Sequence, residues 1–196
     1  MNLVERTKNI MFNPKQEWEA IKAESITTKD LYTKYTMILA AIPAIAGFIG
    51  YTIFGLSWGF GTIRISASTS ILWGVITYIT GLAGVYIISF IVDALAPSFG
   101  STKDMTASTK VVVYSYTPAW VAGIVQIFPV LGFIVALASI YSLVLMYMGL
   151  QRVKAVPQDK LVVYFVVIII VAIIVFFVMG AIVSAIAFSG YMMSGV

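Results

Sequence analysis

Few residues in this chain have chemistry to offer. Eight acids and twelve bases stand among 196 residues, with no histidine and no cysteine. Without them the chain lacks thiolate nucleophiles, disulfides, the usual zinc and haem ligands and a switch near neutral pH. No His/Asp or Glu-x-x-His pair is present, and no serine has a visible lysine or histidine base. The expectation is a protein with no enzymatic activity, no metal and no cofactor.

Asp93 is the one acid that abuts a membrane-length apolar run without an adjacent base. Two readings stay open. Either it faces the bundle interior and binds a cation, a headgroup or a loop amide, or it is a surface group that caps the loop helix or pairs with Lys103 or Lys110 as a solvated pair of little value. The polar stretch it opens, 93–110, continues into Ala96-Pro97-Ser98-Phe99-Gly100. Pro97 restricts its predecessor to extended backbone, Gly100 permits a positive φ, and Phe99 is placed to dip into the interface. The knot suits a docking site or a plain turn.

Tyr114-Ser115-Tyr116-Thr117-Pro118 is the most polar part of any long apolar run. Pro118 frees a carbonyl that Ser115 or Thr117 can re-satisfy. Such a break lines a substrate cavity in some transporters, or is an aromatic belt followed by a kink. Gln126, Ser139 and Ser142 read as interhelical hydrogen bonds.

The elements that carry these residues are set by composition. The chain is 61% hydrophobic and 10% charged, and a globule this small cannot bury that much apolar surface. The expectation is an all-α integral membrane protein, a bundle of five transmembrane helices. The spans fall at about 35–54, 70–92, 111–128, 130–150 and 161–188, between an arm at 1–34 and a short tail at 189–196. The third and fourth arise because 111–150 carries no charge and would be about 60 Å long as one helix, twice the bilayer core. It must fold back, with Phe128-Pro129 and Gly132 as the turn.

In the arm, Asn13-Pro14 with Gln16 opens a short helix. Trp18 either lies at headgroup level on the interface or packs on the protein's own loops. Thr27 and Asp30 form a capping box for the first span. Pro43 kinks that span, and Ala40/Ala44 and Ala46/Gly50 offer close-contact faces. The first long run starts too late for a cleavable signal, so span one is expected to serve as an uncleaved anchor.

Of the twelve bases, eleven lie in the arm, after span two and after span four, and Arg64 alone lies on the opposite side. This predicts a cytoplasmic N-terminus and an outside C-terminus. The net charge of +4 suits an anionic membrane surface and gives no support to nucleic-acid binding. No ionisable group stands in mid-span, which argues against a proton relay.

With these stretches in view, the chain resembles the bacterial branch of the Yip family of Ypt/Rab-interacting membrane proteins. The likeness rests on NPKQEWEAI in the arm, Asp-x-x-Ala-Pro-x-Phe-Gly at 93–100 and Tyr-x-Tyr-Thr-Pro-Ala-Trp at 114–120. It also rests on Tyr-Met-Gly-Leu-Gln-Arg at 147–152, with Val156, Pro157 and Lys160. It implies five spans, a cytoplasmic N-terminus, a bacterial plasma membrane and no assigned reaction. The short arm gives no ground for GTPase binding. The residues that emerge as a ligand or partner site are Asp93, Pro97, Phe99, Gly100, Tyr114, Tyr116, Pro118, Pro157 and Lys160.

Two functions follow. One is a membrane organiser that assembles with itself or with other membrane proteins in the lipid bilayer. The other is a carrier or channel for a neutral or lipid-like solute that uses the break and Asp93.

Overall fold

The computed structural model describes residues 2–58, 61–63 and 66–193. Two short helices form the arm, α1 (Leu3–Phe12) and α2 (Pro14–Ala23). Asn2 caps α1, its side chain accepting from the backbone N–H groups of Val4 and Glu5 at 3.1 and 3.3 Å. Pro14 takes the first position of α2 as expected, but Asn13 makes no side-chain cap there.

The Thr27 cap forms: its Oγ1 accepts from Asp30 N–H at 3.1 Å and donates to Asp30 Oδ2 at 2.7 Å. α3 (Thr28–Leu31) follows, then a π turn at Tyr32–Thr36 and α4 (Met37–Ile53), which contains Pro43. A two-stranded antiparallel hairpin, β1 (Leu56–Trp58) and β2 (Gly61–Ile63), leads to α5 (Ala67–Leu95). The expected Arg64 lies outside the described residues.

After a 3-10 turn at Ala96–Phe99 come α6 (Met105–Ser115) and α7 (Thr117–Ala122). Next is 3-10 backbone at Gly123–Ile127, and then a turn at the predicted place. Phe128 is extended and Pro129–Leu131 is a second 3-10 turn. α8 (Gly132–Arg152) and α9 (Gln158–Met193) complete the chain, so the helix continues into what reads by sequence as the tail.

Four helices among the described residues are long and apolar enough to cross a membrane: Thr28–Ile53, Ala67–Phe99, Pro129–Arg152 and Gln158–Ala181. The third apolar segment is not a continuous helix: α6 ends at Ser115 and α7 starts at Thr117, so of the two readings left open at 114–118 the described backbone has the break. Pro118 has no N–H to give to the turn before it, and the glycine and 3-10 stretch that follows prevents the α-helix from resuming.

The broken segment nevertheless follows the Thr28–Ile53 span, its first part beside α3 and the π turn and its later part beside α4. Thr106 meets Thr28 at 3.2 Å between hydroxyls, Thr117 meets Tyr35 at 2.8 Å, and the Phe128 ring lies tilted against Phe54 with centroids 4.9 Å apart. Between these, Gly123 lies against Pro43 and Gly50 against the carbonyls of Gln126 and Ile127. Outside the core, α5 and α9 expose Ile71, Ile79, Phe90, Ile173 and Phe177, as a lipid-facing surface requires.

Candidate functional site

The polar residues gather at one end of the bundle, where the arm, the 93–110 stretch and the 151–160 loop interlock. Two linked clusters result. In the first, Asp93 Oδ1 accepts from Asp104 N–H at 2.7 Å and from Ser108 Oγ at 3.1 Å, with Lys154 Nζ at 3.6 Å. The basic partner is therefore Lys154 and neither Lys103 nor Lys110, contrary to the pairing reading. Asp93 binds a loop amide, as its alternative allowed, and ties the end of α5 to the start of α6.

Lys154 is 5% exposed. Its Nζ also donates to the Thr102 carbonyl at 2.7 Å, and its own carbonyl accepts from Ser101 Oγ at 2.5 Å. The loop turns at Ala155, the only non-glycine residue with positive φ (48°) among the described residues.

Six of the residues predicted from sequence meet here. Phe99 stacks on Tyr164 at 4.7 Å. Gly100 has φ +76°, and a Cβ on it would lie 3.1 Å from Pro157 Cγ and 3.6 Å from Lys160 Cδ. The 93–100 knot and the 157–160 turn are thus one surface, with Pro97 and Pro157 exposed on it.

The second cluster seats the arm. Arg6 bonds Glu17, and bonds Glu24 Oε2 at 2.7 Å. Its guanidinium carbon stands 5.5 Å from the centre of the Tyr114 ring. Tyr114 packs edge-on against Tyr35 and Trp18, at 4.9 and 6.4 Å. Trp18 is fully buried and rests against Gly149, where a Cβ would come within 2.8 Å of the indole. This places Trp18 in the core and overturns the headgroup reading.

Lys110 reaches across to the end of α2, donating to the carbonyls of Ile21 at 2.8 Å and Glu24 at 2.5 Å. A cation there satisfies carbonyls that the helix end leaves without partners. Arg152 pairs with Glu19 at 2.5 Å, and Tyr141 donates to the Met11 carbonyl at 2.8 Å.

Tyr116, two residues from Tyr114, goes elsewhere. It lines a cleft of about 420 Å³ with Ser115, Ser139, Ser142, Met146 and Phe176, between α8, α9 and the break. The serines bond back to carbonyls of their own helices, Ser139 to Val135 at 2.8 Å and Ser142 to Ala138 at 3.3 Å, so they do not bridge helices. Ser115 likewise donates to Val111 at 2.6 Å. Pro118 is buried in α7, just past the break. The predicted residues thus divide between the loop surface, the arm seat and the cleft.

Reading residues in sequence order misses Arg6, Glu17, Glu24, Lys110 and Lys154. The available signal was weak: Lys110 and Lys154 are lone bases beside aliphatic neighbours.

Burial pushes the Lys110 ammonium below the ordinary 10.5, opposed by Glu24 and Asp104. Burial does the same to Lys154, opposed by Asp93 and Asp104. Between those lowered values and 10.5 the unfolded chain holds more protons than the folded one, so stability rises with pH across that window. A neutral amine keeps two N–H donors for the carbonyls it serves. Denaturant midpoints should therefore increase as the pH is raised toward 10.5, and Lys110→Met should flatten the rise. A midpoint that falls over this range would show that the cations are net stabilising.

The fold and its apolar surface define a multi-pass helical membrane protein whose polar residues are concentrated at one end. The chain belongs to the Yip1 family: the Yip1 domain matches residues 8–191. It is similar to "Inner membrane protein YohC" of Escherichia coli K12, 27% identical over 152 residues, covering 76% of this chain and 78% of that protein. The same protein of Escherichia coli O6:H1 matches to the same extent. No solved structure matches.

Proposed function

We propose that this protein is a non-enzymatic organiser of the bacterial inner membrane, gathering other membrane proteins or copies of itself on the interlocked polar end. The observation that supports this is the locking of three distant segments by Arg6, Lys110 and Lys154. A surface held rigid before binding loses less entropy when a partner docks. The inner membrane is taken from the similar E. coli protein.

We read the polar end as cytoplasmic and the broken segment as a fifth crossing. Its matched pairing along the Thr28–Ile53 span supports this count, and the eleven bases on one side support the orientation. Native mass spectrometry of the protein released gently from its own membranes tests the organiser. Self-association or a retained membrane protein is the expected result, and a bare monomer from membranes where crosslinking also finds no neighbour would overturn it.

The Tyr116 cleft favours a second reading, a carrier for a neutral or lipid-like solute. It requires that Tyr116→Ala change flux in proteoliposomes at normal expression. Unchanged flux for every lipid and solute tested would remove it.

A further inference from the structure

A different cavity lies near the opposite end of α4, away from the arm and the Tyr116 cleft. It holds about 240 Å³ between α4, α5 and the 3-10 stretch, several times the roughly 30 Å³ that one water occupies in the liquid. Ser70 lines it, is 1% exposed, and its Oγ has no hydrogen-bond partner among the described residues. A buried hydroxyl left without a partner is costly, and doubly so where lipid replaces water.

Gln126 reaches into the same space. A Cβ on Gly47 would lie 3.4 Å from its Oε1, and the glycine leaves the amide room. Tyr51 and Thr77 add two more hydroxyls to the lining, and Phe48 and Trp73 complete the wall. Trp73 is 45% exposed, which opens this side toward lipid. Among the described residues the lining carries hydroxyls and an amide and no carboxylate, ammonium or guanidinium group, which suits a neutral guest in hydrocarbon better than a charged one. The donors and acceptors of Ser70, Gln126, Tyr51 and Thr77 instead match neighbouring hydroxyl and ester oxygens.

We propose that this cavity binds a neutral glycerol moiety, with Gln126 and Ser70 as its hydrogen-bonding residues. The moiety comes either from the glycerol-ester region of an uncharged lipid entering past Trp73 or from free glycerol.

The test uses the full chain in sphingomyelin nanodiscs, whose lipid has no glycerol backbone. The probe is a diacylglycerol carrying a diazirine beside its esters. After illumination, adducts should map to peptides bearing Tyr51, Thr77 or Gln126. Competition by excess dioleoylglycerol assigns the site to lipid, and competition by free glycerol assigns it to the soluble polyol. Ser70→Ala and Gln126→Leu should each lower labelling about threefold to tenfold, the worth of one hydrogen bond. Gly47→Ala keeps both polar groups but puts a methyl into the lining in contact with the Gln126 amide, and should lower labelling even if the polar variants fold poorly. Adducts spread evenly over the lipid-facing helices, or wild-type labelling in every folded variant, would overturn the proposal.

Discussion

Gly50→Ala should be among the most damaging single substitutions in the chain. An alanine Cβ at this position would stand 2.2 Å from the Gln126 carbonyl oxygen and 2.9 Å from that of Ile127. Both obstacles are backbone, so no side chain can rotate away. Overpacking typically costs about 1–3 kcal/mol, and a backbone clash belongs at the upper end, about 3 kcal/mol. The exchange improves helix propensity by about 1 kcal/mol, so any loss must come from tertiary contact. Gly81→Ala is the control, since nothing lies within 4 Å of its added Cβ. Unfolding by titration with a denaturing detergent should separate the two variants in opposite directions from wild type. If Gly50→Ala proves no weaker than Gly81→Ala, the broken segment does not seat on α4 as described.

Arg6→Met should release the arm. It strands Glu17 and Glu24, whose side chains are 11% and 21% exposed, and takes a cation from the neighbourhood of Tyr114. Removing one partner of a largely buried pair costs about 3–5 kcal/mol, because the remaining charge keeps its desolvation penalty. The expected readout is rapid proteolysis within 1–25 while the membrane helices stay intact. Adding Glu17→Gln to Arg6→Met should restore much of the protection, since a neutral amide avoids the stranded charge. Equal proteolysis of the single and double variants would mean that the arm is held by Trp18 and Ile21 rather than by the ion pairs.

Both predictions depend on contacts between residues far apart in sequence, and that marks how far the sequence could be read. The long apolar runs of α4, α5, α8 and α9 are set by lipid solvation, which acts on each stretch separately. The Thr27 cap and the turn at Phe128-Pro129 are set within a few residues. The convergence of the 93–100 knot with Pro157 and Lys160 was legible only as two separate motifs, because nothing local states that Gly100 must abut a proline 57 positions later.

Composition and local pattern by themselves determined that the chain is helical, that it lives in a membrane and where its polar residues cluster along it. The tertiary structure alone decided that Trp18 is core, that Lys110 closes the end of α2, that Asp93 answers to Lys154, and that Tyr114 and Tyr116 serve opposite sides of a break. The reason is physical. Helices that are apolar on every side carry no stripe to say which neighbour they face. Their partners are chosen by glycine-sized gaps and by buried charges seeking a counterpart, and those exist only once the helices have come together.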